Sequence, residues 1–230
     1  INYFFNYCII NNDYALFNDA AKGMAPDIKS VKNYLKYNNF SHTENFVMEI
    51  PENYYKNSGY YTLQSTDESK CIIDCGPLGP KFQPGHGHCD SLSYIWSYNG
   101  EDIIIDSGSS DYYGNKKFRY YTRSTRAHNT IEIDDTEQSE IWSRFRFGRQ
   151  AQSNPIHYDK INNNIQYFIG SHNGYNRLDK NLKYFRTIIM VESNILIVYD
   201  KVGAINNHTI KSYLHIHPKY KFLNEIHNKS

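Results

Sequence analysis

Along most of this 230-residue chain, hydrophobic and polar positions alternate in short runs divided by glycine, proline, asparagine or serine. "GYYTLQS" (59–65), "CIIDCG" (71–76), "SLSYIWSY" (91–98), "EDIIIDSG" (101–108), "NTIEID" (129–134), "NIQYFIG" (164–170), "YFRTIIMV" (184–191), "NILIVYD" (194–200) and "IKSYLHIH" (210–217) have the length and period of strands. This spacing predicts a mainly β protein, an antiparallel β-sandwich and not a series of βαβ units. Leu92, Tyr94, Trp96 and Tyr98 fall on alternate positions, as in a strand with one packed face. Asn99-Gly100 suits the positive φ angles of a two-residue type I′ hairpin, and Ser193-Asn194 marks a second hairpin. One stretch departs from the pattern. Ile28, Val31 and Leu35 recur at helical spacing behind Pro26 and Asp27, which predicts a short amphipathic helix over 26–38.

The length is enough to bury a sizeable core, as one large all-β domain or one to two mixed domains. A formal net charge of +1 conceals an uneven layout, because six of the eight arginines (Arg119, Arg123, Arg126, Arg144, Arg146, Arg149) lie between 119 and 149. Guanidinium groups suit bidentate contacts to carboxylate or sulfate, and so point to an anionic ligand. Ion pairing with Glu132, Asp134, Asp135, Glu137 and Glu140 accounts for them equally well. The interleaved acids and the lack of a recognised motif argue against nucleic acid. With no run of 18 apolar residues, membrane insertion by a helix is not expected either. Four irregularly spaced cysteines without a CxxC pair suggest neither a disulfide framework nor a thiolate zinc knuckle. The 22 tyrosines, against 2 tryptophans, supply strand formers, sugar-stacking surfaces and proton donors together.

Chemistry concentrates in "PGHGHCDSLSY" (84–94) and "TRSTRAHNTIEID" (122–134). His86 and His88, two residues apart in a glycine turn, can converge on one metal ion, with Asp90, Asp106 or His128 as the further ligand. They serve equally as histidines that hold a turn by hydrogen bonds. A simple hairpin at Asn99-Gly100 sets Tyr98 opposite Glu101 and Asp106 opposite Ser93, leaving Asp106 five residues from His88, roughly 17 Å of strand. A shared ion therefore requires the 85–90 loop to fold back, or a bulge to shift the register.

In order and spacing, "SGYYTLQS", "CIIDCGPLGPKFQPGHGHCDSLSYIWSYNGEDIIIDSGSSDYY", "YYTRSTRAHNTIEIDDTEQSEIWSRFRFGRQA" and "FRTIIMV…ILIVYDKV" resemble the C-terminal β-sheet region of the heparinase II/III family of polysaccharide lyases, over roughly 55–203. The resemblance implies a supersandwich-like antiparallel β-sandwich domain over 46–230, expected to be truncated, and makes residues 1–45 the tail of an α/α-toroid domain. It implies β-elimination on a uronic-acid-containing acidic polysaccharide such as a glycosaminoglycan: a base removes the C5 proton and an acid protonates the glycosidic oxygen at C4. His88, Asp106 and His128 are similar to the family's ligands for a divalent metal, zinc, with Asp90 and Asn129 as partners orienting the histidines. His86 then faces the substrate with Tyr112 or Tyr113, and Arg123 or Arg126 holds the acidic groups.

The family's remaining catalytic residues belong to the toroid, so this chain alone is expected to be inactive. A periplasmic or secreted location also follows from the resemblance, and the heavy usage of Asn, Lys, Ile and Tyr points to a bacterial source. Two alternatives stand beside it. One is a non-catalytic glycan-binding or polysaccharide-assembly module of the same fold. The other is a cupin-like metal enzyme, disfavoured because Leu92 and Ser93 stand where a cupin has a glutamate.

Overall fold

The computed structural model describes residues 4–40, 58–65, 69–109, 112–162, 164–192 and 194–221. In chain order the strands are β1 (Ile9–Ile10), β2 (Asp13–Tyr14), β3 (Tyr60–Ser65), β4 (Ser69–Asp74), β5 (Tyr94–Tyr98), β6 (Glu101–Ile104), β7 (Ile131–Ile133), β8 (Ile141–Ser143), β9 (Arg146–Phe147), β10 (Ser153–Asn162), β11 (Ile165–His172), β12 (Lys183–Val191), β13 (Ile195–Gly203) and β14 (Ile210–Ser212). Among the described residues two α-helices accompany them, α1 (Ile28–Tyr37) and α2 (Lys116–Arg123). Two four-stranded antiparallel sheets, β3-β4-β5-β6 and β10-β11-β12-β13, carry the expected sandwich. Their facing sides share one core, in which Leu63, Cys71, Ile73 and Tyr94 meet Phe168, Tyr184, Ile188 and Met190. Each large apolar side chain buried there stabilises the fold by about 1.5–3 kcal/mol. All four cysteines are free. Among the described residues no helix is long and apolar enough to cross a membrane.

The first sheet is covered on both faces, where the alternation of residues 92–98 suggests one. Tyr94 and Trp96 face the sandwich core, while Ile95 and Ile72 pack on the other side with Ile10 and Phe17 of the N-terminal segment. That segment thereby becomes part of the sheet domain's packing. Helix α1 forms as expected, with the Asp27 side chain accepting from Ser30 N at its start; Ile28 is buried, Val31 and Leu35 are half-buried, and the rest of the helix is exposed.

Asn99 (φ 50°) and Gly100 (φ 71°) make the predicted turn, with Tyr98 opposite Glu101. A bulge then intervenes: Ser97 pairs with Asp102 but Trp96 with Ile104, leaving Ile103 unmatched. This shifts everything beyond it by one residue relative to the simple hairpin register. The β12–β13 hairpin also forms, pairing Val191 with Ile195, so its loop has three residues, with Glu192 at φ 54°. Ser193 lies outside the described residues.

Helix α2 and strand β10 are absent from the alternation pattern. Helix α2 buries Arg119, Thr122 and Arg123, so its inner face is polar and shows no apolar stripe. It begins where Asn115 Oδ1 accepts from Lys117 N and Phe118 N. Strand β10 is an edge strand, which is why it tolerates Pro155 and a mostly polar sequence.

Candidate functional site: a buried histidine and carboxylate cluster

The loop between β4 and β5 folds back across the ends of its own sheet. Gly87 makes this possible, since a Cβ there would lie 2.1 Å from the Leu78 carbonyl oxygen. The two flanking histidines consequently take opposite environments. His88 is fully buried, while the His86 side chain is 68 % exposed. Leu92, fully buried at φ 63°, carries the chain from this loop into β5, a conformation that a branched side chain adopts only under strong constraint.

His88, Asp90 and His128, all buried, place one potential ligand atom each within 4.8 Å of one another. The two imidazoles lie 5.2 Å apart between ring centres. Each has one nitrogen engaged: His88 Nε2 with Asp19 Oδ1 at 2.9 Å, and His128 Nδ1 with Asp106 Oδ2 at 2.7 Å. The remaining nitrogens, His88 Nδ1 and His128 Nε2, are buried without a hydrogen-bond partner. A buried unsatisfied polar atom costs about 1–3 kcal/mol, and two in one cluster with a carboxylate are what a bound cation would satisfy.

Asp74, Asp90 and Asp106 are all buried around the pair. Burial pushes Asp74 up to about 6 and Asp90 well above the usual carboxylate range, the latter with help from the charge of Asp74. Against the pull of burial, the charge and hydrogen bond of Asp106 lift His128 to about 9. Burial brings His88 down to about 4 in spite of its hydrogen bond to Asp19. The donor set of imidazole nitrogen and carboxylate oxygen, with acids gathered at one point, fits a divalent metal of the zinc type.

Asp19, on the N-terminal segment, is the connection that sequence reasoning missed. Its Oδ2 meets His86 Nδ1 and Arg119 Nη2, each at 2.8 Å, and its Oδ1 meets His88 Nε2 and Arg119 Nη1. Burial alone would raise its pKa, but the hydrogen bonds from His88 and Arg119 hold it well below the usual range. Its neighbour Asn18 accepts from His88 N at 3.0 Å and donates to Asp74 Oδ2 at 3.3 Å. Gly108 (φ 57°) lets this segment approach, since a Cβ there would sit 2.1 Å from Ala20 O. Nothing in "FNDA" announces such a role.

Other expected residues are distributed around this centre. Tyr112 lies beside His86, with ring centres 5.8 Å apart, and its hydroxyl donates to Asp19 O at 3.3 Å. Burial and the Asp19 charge raise the Tyr112 phenol above its ordinary value. Tyr113 is largely exposed and rests against Phe145. Asn129 meets neither histidine ring. Its side chain instead ties Tyr94 O, Ile105 O and His215 N together at 2.7–2.8 Å.

Arg123 is fully buried, donates to the carbonyls of Gly87, Ser143 and Arg144, and covers the Phe147 ring, so its guanidinium holds loops together. Arg126 pairs with Glu132 at 3.1 Å on a separate groove. The arginine cluster is thus largely engaged in holding this part of the fold.

The model of the family described as heparinase II/III-like, C-terminal, matches residues 49–229. No curated protein is significantly similar in sequence. Among solved structures, a heparinase III, the BT4657 gene product, is 20 % identical with a TM-score of 0.68, covering 91 % of this chain and 32 % of that one. The heparan sulfate lyase HepC from Pedobacter heparinus is 16 % identical with a TM-score of 0.61, over 85 % of this chain and 30 % of its own. At such identities the likeness speaks for the fold, and the chain spans about a third of the length of these proteins.

Proposed function

Because the chain belongs to the heparinase II/III-like family, matched through its C-terminal domain, we propose that it forms the β-sandwich part of a polysaccharide lyase acting by β-elimination on a uronate-containing acidic glycan. The observation that carries this reading is the pairing of an exposed His86 with Tyr112 at the rim of the buried cluster, both tied to Asp19. A carboxylate on Nδ1 fixes the proton there, which leaves His86 Nε2 with its lone pair as an acceptor for the C5 proton of a uronate. A raised phenol pKa keeps Tyr112 protonated at neutral pH, so its hydroxyl can protonate the departing glycosidic oxygen at C4. Residues supplied from outside this chain would neutralise the uronate carboxylate.

His88, Asp90 and His128 would hold the metal, with Asp106 engaging His128 Nδ1. Bound there, a zinc-type ion would join three segments distant in sequence and so stabilise the strand ends that present His86. Loss of the ion in Asp90→Ala, with only a 10–100-fold weakening in Asp106→Ala, would mark Asp90 as ligand and Asp106 as the carboxylate orienting His128. The reverse outcome would restore Asp106 as ligand.

Cleavage is tested in the longest protein that contains this chain, by the ultraviolet absorbance of the unsaturated uronate product on heparan sulfate and related glycans. Loss of turnover in His86→Ala and Tyr112→Phe, with Tyr113→Phe near wild type, is expected. Glycan binding without product formation, unaffected by His86→Ala, would instead favour a non-catalytic glycan-binding module of the same fold.

A further inference from the structure

Away from the buried histidine cluster, a groove of about 650 Å³ opens beside α2. Trp142 of β8 stands at its edge, 69 % exposed, and Tyr121 of α2 faces the same space at 47 % exposure. Large aromatic rings left uncovered at the mouth of a polar groove suit stacking against the C–H face of a sugar ring. The charged lining is mixed, with Asp135, Glu137 and Glu140 against Arg126 and Arg177. Its cations are already engaged: Arg126 pairs with Glu132, and Arg177 donates to Glu137 O and lies 3.9 Å from Glu140 Oε1. One buried Arg177 nitrogen, Nη1, still lacks a hydrogen-bond acceptor. Three acids against two largely paired guanidinium groups make the groove a poor site for sulfate and carboxylate, while it offers both donors and acceptors to hydroxyl and amide groups.

The groove is physically linked to His86. Trp142 belongs to the β8–β9 hairpin, whose turn residue Phe145 packs on His86 with ring centres 6.0 Å apart. Two residues, Ser143 and Arg144, separate Trp142 from Phe145, at most about 10 Å of chain over the three steps, a reach that one oligosaccharide can span. Resting on the glycan reading above, we propose that this groove is a second saccharide subsite, in which a neutral, unsulfated sugar ring of the same chain stacks on Trp142 while a charged residue lies at His86. The subsite makes affinity depend on oligosaccharide length and on the absence of sulfate at that position.

The test is calorimetric titration of wild type, Trp142→Ala and Tyr121→Ala with heparan sulfate di- and hexasaccharides, the latter in sulfated and in N-acetylated, unsulfated forms. Both changed side chains are at the surface, so circular dichroism and metal content should match wild type. The expected result is that wild type favours the unsulfated hexasaccharide over the sulfated one, that each variant weakens the hexasaccharide about tenfold, and that disaccharide binding is unchanged. Wild-type hexasaccharide affinity in both variants, or equal loss for di- and hexasaccharide, would overturn the subsite while leaving the glycan reading in place. No binding of any of these oligosaccharides by wild type would overturn the glycan reading and the subsite with it.

Discussion

Replacing Asp19 by alanine removes the acceptor for Arg119, His86 and His88 at once. Arg119 is 1 % exposed and Asp19 nearly as buried, so little water can enter to replace the lost carboxylate. The guanidinium would keep only Ser109 Oγ, at 3.0 Å, among its described polar partners. Breaking a buried ion pair by removing one partner costs about 3–5 kcal/mol, because the surviving charge stays buried. That is a large share of the roughly 5–15 kcal/mol that holds a domain together. Asp19→Asn keeps the volume but turns its amide toward groups that are all donors, and should cost nearly as much.

The cause can be isolated with Arg119→Met. If the uncompensated guanidinium is the main penalty, the Asp19→Ala, Arg119→Met double variant should be more stable than the sum of the single changes allows, by about 2 kcal/mol or more. Urea denaturation followed by circular dichroism, with a chelator present so that ion binding does not contribute, gives the three free energies. A loss below about 1 kcal/mol in Asp19→Ala, or strict additivity in the double variant, would refute the reasoning.

Two further outcomes follow from the buried histidines. His128, lifted to about 9, is protonated at pH 7 in the metal-free protein, whereas His88, at about 4, is already neutral. Metal uptake at pH 7 should therefore release at least one proton, that of His128, with the raised Asp90 carboxyl adding to it, and affinity should fall at least about tenfold per pH unit as pH drops below the His128 value. A weakly buffered titration with zinc and a pH indicator reads this directly, and uptake without proton release would contradict it.

His172 lies in the other sheet, where burial and the charge of Arg186 lower it from 6.5 to about 3. Its depressed folded value means that stability is fully present above the unfolded value near 6.5 and is lost as pH falls toward about 3. His172→Gln should lose less stability than wild type between pH 7 and 4, by a few kcal/mol. Equal losses in denaturation series at the two pH values would rule this out.

Strand positions were legible because the core of a two-sheet sandwich imposes a period of two that survives in Leu63, Cys71, Ile73, Phe168, Ile188 and Met190. The turn at Asn99-Gly100 was legible for a similarly local reason. What alternation could not show was polar burial. Helix α2 has an inner face of arginine and threonine, paired with Asp19 and with loop carbonyls through some of its guanidinium nitrogens, so its sequence reads as a solvated segment. The β6 bulge was also hidden, because Ile103 leaves no mark among neighbouring isoleucines, yet it decides where Asp106 falls relative to β5. The two histidines of the glycine turn could be singled out as a pair, but their opposite burial depends on Leu78 and on a segment some 70 residues upstream.

That upstream segment changes how the site should be understood. Residues 9–19 precede the sandwich in sequence, yet Ile10 and Phe17 close the second face of its first sheet, and Asn18 and Asp19 complete the hydrogen bonding of the histidine loop. Both tasks lie on the same few residues, so covering the sheet and orienting His86 are physically one event. A displacement of this segment would expose Ile72 and Ile95, strip Arg119 of its carboxylate and free the rings of His86 and His88 together. His86 is therefore positioned not by its own loop alone but by an acid delivered from the chain that enters the sheet domain.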